Sequence, residues 1–291
     1  MKRRQFIRRA TLSICGSALA WLPDISPASQ LTELQQHDMT CVHFPRSDLK
    51  GLPGIKIVGF GYSGSDIADK LVKQYHALHQ YTESNSNFLY EEISRYSVSL
   101  QCQGPLHAEE KVGSNIRNTA EQIIKDVDLL FILTDTGLAS SFITSMIAKI
   151  AVENDVLTLA IVPESNTKDG KKGGQVMPVI KHLENHVDCL YVTPINIQNE
   201  SPMVNLGLHS SNDACFKFIK GFVDIIGTKG LFEIDFQDIK AILAEGSQLS
   251  VGIAQGKSKN DLLKASQSLV SSNWCLDKVL KRFTGFRFHN S

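Results

Sequence analysis

The chain has 291 residues, of which 42% are hydrophobic, and its 30 Lys and Arg residues balance 30 Asp and Glu residues. This composition is typical of a globular protein with one large core or two modest ones, and it excludes the disordered and fibrous classes. Because the charges cancel and no stripe of basic and aromatic residues occurs, we do not expect nucleic acid as a partner.

The first 22 residues differ in kind from the rest of the chain. The segment "MKRRQFIRRATLSICGSALAWL" has basic residues before Ala10 and then an apolar run that is too short for an ordinary membrane span. Arg3 and Arg4, followed by Phe6, resemble a twin-arginine export signal. Residues 1–22 are therefore predicted to be an export signal, or alternatively an amphipathic helix on the inner membrane. A cytoplasmic location is the remaining alternative, and the polar residues 23–53 are predicted to form a linker.

The folded part is predicted to start at Gly54, with a strand over 55–58 and a helix over 66–79. A helix-like and a strand-like stretch follow and end at "YSVSL". Further along come a strand in "VDLLFILTD", a helix in "SSFITSMIAKIAVEND", a strand in "VLTLAIV", a helix through "VIKHLENHV" and a strand in "DCLYVTP". Near-continuous apolar strands that alternate with helices predict an α/β fold, a parallel sheet with helices on both faces.

The last third of the chain is predicted to be mainly helical. A core-facing stripe at helical spacing predicts a long central helix over 211–226. Another helix is expected to start near Asp235, and a last one runs over 260–271. The predicted domain thus spans 54–285 and leaves a short tail, 286–291. The six cysteines form no C-x-x-C pair, and no metal site is predicted.

The first strand and helix are joined by a G-x-G-x-x-G turn made of Gly59, Gly61 and Gly64. Its backbone N–H groups and the positive end of the following helix dipole suit a phosphate. The alternative is that the glycines only make a tight strand-to-helix turn. The motif also occurs in NAD-dependent dehydrogenases, which have an acidic residue at the end of an apolar strand about 20 residues later. In this sequence the corresponding segment, "HQYTESNSN", is a polar connection and not the end of an apolar strand.

The order of several segments resembles the tubulin/FtsZ family of GTPases. These segments are "IKIVGFGYSGSD", "VDLLFILTDTGLASSF", "VLTLAIVPES", "HVDCLYVTP", "SSNDA" and "GLFEIDFQDIKAIL". The resemblance runs over about 55–277 and implies a Rossmann-like GTPase domain that binds GTP or GDP, with Mg²⁺ as a further ligand. It also implies head-to-tail self-association in bacterial cell division or membrane remodelling, because family members complete their active site with a neighbouring subunit.

The resemblance assigns roles to individual residues of this sequence. The first phosphate loop would be Gly59, Gly61, Tyr62, Ser63, Gly64 and Ser65. Gly113 and Asn115 would form a loop near the γ-phosphate, Thr136 and Gly137 a second phosphate loop, Asp169 and Asn196 the sugar contacts, and Asn212 the guanine contact. Asp235 and Asp238 would be the catalytic pair that polarises water for a neighbour's nucleotide. Helix capping is the alternative role for Asn212, Asp235 and Asp238.

The sequence departs from the family at the most characteristic glycine-threonine loop, where it reads "TDTGLASSF". Side chains replace the family's glycines there, and Asp135 adds a negative charge near the expected phosphates. The resemblance therefore implies a divergent guanine-nucleotide-binding protein whose hydrolysis is weak or absent. The alternative function is an exported pseudo-GTPase that serves as a binding or scaffold module.

Overall fold

The computed structural model describes residues 36–81, 88–90, 92–101, 108–134, 138–162, 180–193, 210–228, 234–244, 248–249, 260 and 263. The strands are β1 (Gln36–Phe44), β2 (Ile55–Phe60), β3 (Ser94–Gln101), β4 (Leu129–Leu133), β5 (Leu157–Val162), β6 (Cys189–Val192) and β7 (Gln248–Leu249). The helices are α1 (Gly61–Tyr81), α2 (Ala108–Ile124), α3 (Leu138–Glu153), α4 (Ser211–Gly227) and α5 (Phe236–Ala244), and residues 180–183 are also helical. The predicted export signal, the tail and most of the predicted last helix lie outside these ranges.

The strands form one sheet in the order β3-β1-β2-β4-β5-β6-β7. From β2 to β7 every neighbouring pair is parallel, and Ile55 of β2 pairs with Leu129 of β4. β1, however, runs antiparallel to both β2 and β3. The fold class is confirmed, but the sheet is mixed and has seven strands in the described part of the chain.

β1 corrects the predicted linker, because this strand lies within 23–53. It inserts between β2 and β3, with Cys41 opposite Val58 on one side and opposite Tyr96 on the other. Met39 and Phe44 are both fully buried, although neither is part of a long apolar run. The folded domain therefore begins before Gly54, since β1 supplies core side chains to the sheet.

Helices cover both faces of the sheet, as predicted. On one face α1, α4 and α5 pack side chains such as Leu71, Ile219 and Ile239 against the sheet. On the other face α2 and α3 do the same with Ile116 and Ile147. The parallel strands β2, β4 and β5 are buried along their whole length, which explains why their sequences are apolar without alternation.

The two ends of the parallel strands define two edges of the molecule, called here the carboxyl edge and the amino edge. α1 begins at the carboxyl edge, directly after β2, and the start of α4 contacts it through an ion pair between Asp213 and Lys70. At its far end, Gly227 of α4 accepts a hydrogen bond from the backbone of Leu89. Seventeen residues at 1.5 Å each make α4 about 25 Å long, so it spans the molecule from one edge to the other.

α5 lies at the amino edge. The ammonium of Lys240 donates to the backbone oxygen of Asp155, which precedes β5, over 3.3 Å.

Among the described helices, none is both long enough and apolar enough to span a membrane.

Candidate functional site

The glycine turn joins β2 to α1 through a contact that only glycines allow. A Cβ atom on Gly59 would lie 2.5 Å from the Cα of Gly64, and one on Gly64 would lie 2.4 Å from the Cα and carbonyl carbon of Gly59. Both distances are far below ordinary van der Waals contact. The strand and the helix therefore touch backbone to backbone, which holds the start of α1 directly over the end of β2.

Gly61 makes the turn between these two glycines. Its φ angle of 67° lies in the left-handed region, and a Cβ atom on it would meet nothing within 4 Å. α1 begins at Gly61, whereas the sequence predicted its start at Asp66. Tyr62, Ser63, Gly64 and Ser65 thus lie in the first helical turn, and the backbone N–H groups at its start, those of Gly61, Tyr62 and Ser63, have no partner within the helix. This arrangement suits an anion, with the 85% exposed Tyr62 beside it.

Ser65 is engaged by the sheet. Its hydroxyl lies 2.7 Å from the hydroxyl of Thr40 on β1, within hydrogen-bonding distance. This contact links the first turn of α1 to the strand that the sequence analysis assigned to a linker. Ser65 is therefore held by the fold, and its hydroxyl can donate to a phosphate while it accepts from Thr40.

Asn212 lies at the same edge, beside the second turn of α1. Its amide nitrogen donates to the carboxylate of Asp66 over 3.2 Å. The cap of α4 is Ser210, whose hydroxyl accepts from the backbone N–H of Asp213 over 3.1 Å. Capping is thus the role of Ser210, and the alternative of a capping Asn212 is wrong. The fold thus brings Asn212 into contact with Asp66, which lies 146 residues earlier in the chain and two residues after Gly64.

Three residues to which the sequence analysis gave no role, Asp66, Lys70 and Asp213, complete this cluster. The ammonium of Lys70 lies 3.0 Å from a carboxylate oxygen of Asp66 and 3.0 Å from one of Asp213. Burial lowers the pKa of Lys70, but the hydrogen bonds with Asp213 and Asp66 raise it more, so the net shift is upward. The i,i+4 spacing of Asp66 and Lys70 just after the glycine motif was the only signal in the sequence, and it is typical of any solvated helix face.

Other predicted ligands fare differently. Gly113 and Asn115 lie within α2, so the prediction that they form a loop is wrong. Thr136, Gly137, Asp169 and Asn196 lie outside the described residues, and their roles stay predictions. Within the described part of the chain, no group of three or more His, Cys, Asp or Glu side chains is placed to hold a metal ion.

Asp235 and Asp238 lie at the amino edge, far from the glycine turn of the same subunit. The carboxylate of Asp235 accepts from the backbone N–H of Gln237 over 3.3 Å, as expected of a residue that caps α5. Asp238 is exposed in the first turn of α5, and its carboxylate contacts no hydrogen-bond or ion-pair partner among the described residues. Since α4 spans about 25 Å between the two edges, these aspartates do not contact the glycine turn of the same subunit.

No protein-family model matches the chain, but the chain is similar to curated cell division proteins. The chain is 23% identical over 239 residues to the cell division protein FtsZ of Coxiella burnetii, which covers 75% of this chain and 61% of that protein. It is 28% identical over 194 residues to the cell division protein FtsZ 1 of Methanocaldococcus jannaschii, which covers 62% of this chain and 51% of that protein. The chain thus spans between half and two thirds of the length of these curated relatives.

Among solved structures, an empty FtsZ dimer from M. jannaschii matches 56% of this chain and 49% of its own chain, at 22% identity and a TM-score of 0.46. The two curated matches support the interpretation of the chain as an FtsZ-like member of the tubulin/FtsZ family.

Proposed function

We propose that this protein binds a guanine nucleotide at the carboxyl edge, with the phosphates at the start of α1 and the base near Asn212. The observation that supports this most directly is the interlock of Gly59 and Gly64, which fixes the N-terminus of α1 over the end of β2. Gly61 adds an open, left-handed turn in front of the free N–H groups. Asn212, a side chain with both a donor and an acceptor, lies beside the second turn of α1 through Asp66.

We further propose that copies of the protein associate head to tail. Asp235 and Asp238 lie at the amino edge, and the glycine turn lies at the carboxyl edge, so stacking of two copies would complete one site. A bound GTP would supply the phosphoryl group, and Asp238 would orient the attacking water from the neighbouring subunit. Hydrolysis would be weak or absent, because "TDTGLASSF" lacks the glycines that bring backbone close to phosphates.

The cellular role is proposed on the relatives' names and on the N-terminus. The two curated relatives are cell division proteins, and we propose a role in division or membrane remodelling at the bacterial inner membrane. The basic and apolar residues 1–22 would serve as a membrane anchor or a twin-arginine export signal. Export would favour the alternative function, a periplasmic scaffold without nucleotide.

The experiment that tests nucleotide binding compares two substitutions at glycines of the same conformation. Gly61→Ala and Gly51→Ala each place a Cβ atom on a residue with φ of 67° and 65°, and neither Cβ would meet any atom within 4 Å. Both variants therefore carry the same backbone strain of about 1 kcal/mol. Only Gly61 adjoins the proposed phosphates, so GTP affinity, measured by isothermal titration calorimetry, should fall at least about tenfold for Gly61→Ala alone.

Equal GTP affinity in the wild type and both variants would contradict the proposed position of the phosphates. If the wild-type protein binds neither GTP nor GDP, the nucleotide proposal fails, and periplasmic fractionation of the full-length chain would then support the scaffold alternative.

A further inference from the structure

The ammonium of Lys70 joins two helices at the proposed base site. It contacts Asp66, one turn earlier on α1, and Asp213, in the first turn of α4, each over 3.0 Å. The two carboxylate oxygens are therefore no more than about 6 Å apart, where two like charges repel unless a cation lies between them. The side chains are only partly exposed, at 37% for Lys70, 28% for Asp66 and 25% for Asp213, so water screens this repulsion incompletely.

Lys70 also acts on Asn212 through a shared atom. The oxygen of Asp66 that contacts the Lys70 ammonium, Oδ2, is the same oxygen that accepts the hydrogen bond from the Asn212 amide nitrogen. While Lys70 holds this oxygen, the NH₂ group of Asn212 points to Asp66. The amide oxygen of Asn212, which is the other branch of the planar amide group, then points away from this hydrogen bond and is available as an acceptor.

The orientation of this amide matters for the choice of base. Guanine presents donors at N1–H and at its 2-amino group, which an amide oxygen can accept, whereas adenine presents an acceptor at N1. A site built to accept from guanine leaves its oxygen unpaired when adenine is bound, and this difference produces specificity. If the amide turned over, its NH₂ group would face the base and the preference would be lost.

We infer that Lys70 is a positioning residue that orients the Asn212 amide for guanine by holding the Asp66 carboxylate beside α4. This inference rests on the proposed function, because it concerns the base end of the same nucleotide site. The raised pKa of Lys70 agrees with this geometry, since both carboxylates favour the charged ammonium. Asp213 contributes through its ion pair with Lys70, and Ser210 fixes Asp213 by donating its hydroxyl proton over 2.8 Å.

The test replaces Lys70 and uses a second lysine as a matched control. Lys220 on α4 also forms an i,i+4 ion pair, with Asp224, and that carboxylate accepts from the hydroxyl of Tyr75 on α1. Lys220→Met therefore disturbs a comparable contact between α1 and α4, two turns beyond the site. The dissociation constants of GTP and ATP are measured by calorimetry on the full chain for the wild type, Lys70→Met, Lys70→Arg and Lys220→Met.

We expect Lys70→Met to reduce the preference for GTP over ATP at least about tenfold, chiefly by weakening GTP binding. Lys70→Arg, which keeps the charge between the carboxylates, should retain the preference, and Lys220→Met should retain it as well. If Lys70→Met does not fold, Lys70→Gln provides the same test, because it removes the positive charge between the two carboxylates and keeps a polar side chain at this partly exposed position.

The outcomes separate this inference from the proposed function. A wild-type protein that prefers GTP, together with a Lys70→Met variant of unchanged preference, would overturn the inference alone. Equal losses in Lys70→Met and Lys220→Met would also overturn it, because they would indicate a general loosening of α1 and α4. A wild-type protein that binds no guanine nucleotide would overturn both.

Discussion

Gly64→Ala and Gly221→Ala are expected to change the stability of this protein in opposite directions, although both substitutions add one methyl group to a helix. Alanine has a helix propensity about 1 kcal/mol better than that of glycine, so each variant gains about that much if the methyl group fits. At Gly221 in α4 it fits, because a Cβ atom there would meet nothing within 4 Å. We therefore expect Gly221→Ala to raise the free energy of unfolding by about 1 kcal/mol.

At Gly64 the added methyl group meets backbone, which cannot rotate away. Its Cβ would lie 2.4 Å from two backbone atoms of Gly59, and ordinary contact begins at about 3.4 Å, so α1 and β2 must separate by about 1 Å. Such overpacking costs up to about 3 kcal/mol, because Ile67 and Leu71 of α1 are fully buried and must move with the helix. Subtracting the gain in propensity leaves a net loss of about 2 kcal/mol.

Urea unfolding followed by far-ultraviolet circular dichroism measures both changes on the same protein. The urea midpoint should fall for Gly64→Ala and rise for Gly221→Ala, with an unchanged slope in both cases. A Gly64→Ala variant as stable as the wild type would refute the argument that the two glycines fix α1 over β2. A loss of stability in both variants would instead indicate that helix propensity does not govern α4 at Gly221.

Two further predictions concern the amino edge and the response to pH. Asp235→Ala should lower the free energy of unfolding by about 1 kcal/mol because it removes the cap of α5, whereas Asp238→Ala should change it by less than about 0.5 kcal/mol in the same urea assay. Because Asp238→Ala hardly changes stability, it can be used to test catalysis. If the site is shared between subunits, GTP turnover per molecule should rise with protein concentration in the wild type and should vanish in Asp238→Ala. Unchanged turnover in this variant would count against the shared site. The pKa of His182 is lowered from its usual 6.5, mainly by burial and to a smaller extent by the nearby His186. As the pH falls, the His182 imidazole is therefore protonated in the unfolded chain before it is protonated in the folded protein. Stability should therefore decrease from pH 7 to pH 5, and His182→Gln should reduce the decrease; an identical pH dependence in the variant would exclude His182 as a cause.

Some features of the fold were predictable because their signals are local. β2, β4 and β5 are parallel strands buried on both faces, and this environment requires the near-continuous apolar runs that the sequence contains. The stripe on α4 reflects one buried face, which includes Phe218 and Val223. The glycine motif was equally local, because a backbone contact between a strand and the next helix needs glycine at a fixed spacing.

The sequence by itself therefore determined the α/β class, the glycine turn and the resemblance to the tubulin/FtsZ family. Only the tertiary structure decided that β1 belongs to the sheet. Its place there depends on contacts with residues that follow it in the chain: the Thr40 hydroxyl lies within hydrogen-bonding distance of the Ser65 hydroxyl, and Cys41 pairs with Val58 of β2. The same holds for the ion pair between Lys70 and Asp213 and for the separation of Asp238 from the glycine turn. These features depend on contacts between residues that are distant in the chain. Such contacts stabilise the protein only after the sheet and the helices have packed together, so no local sequence pattern predicts them.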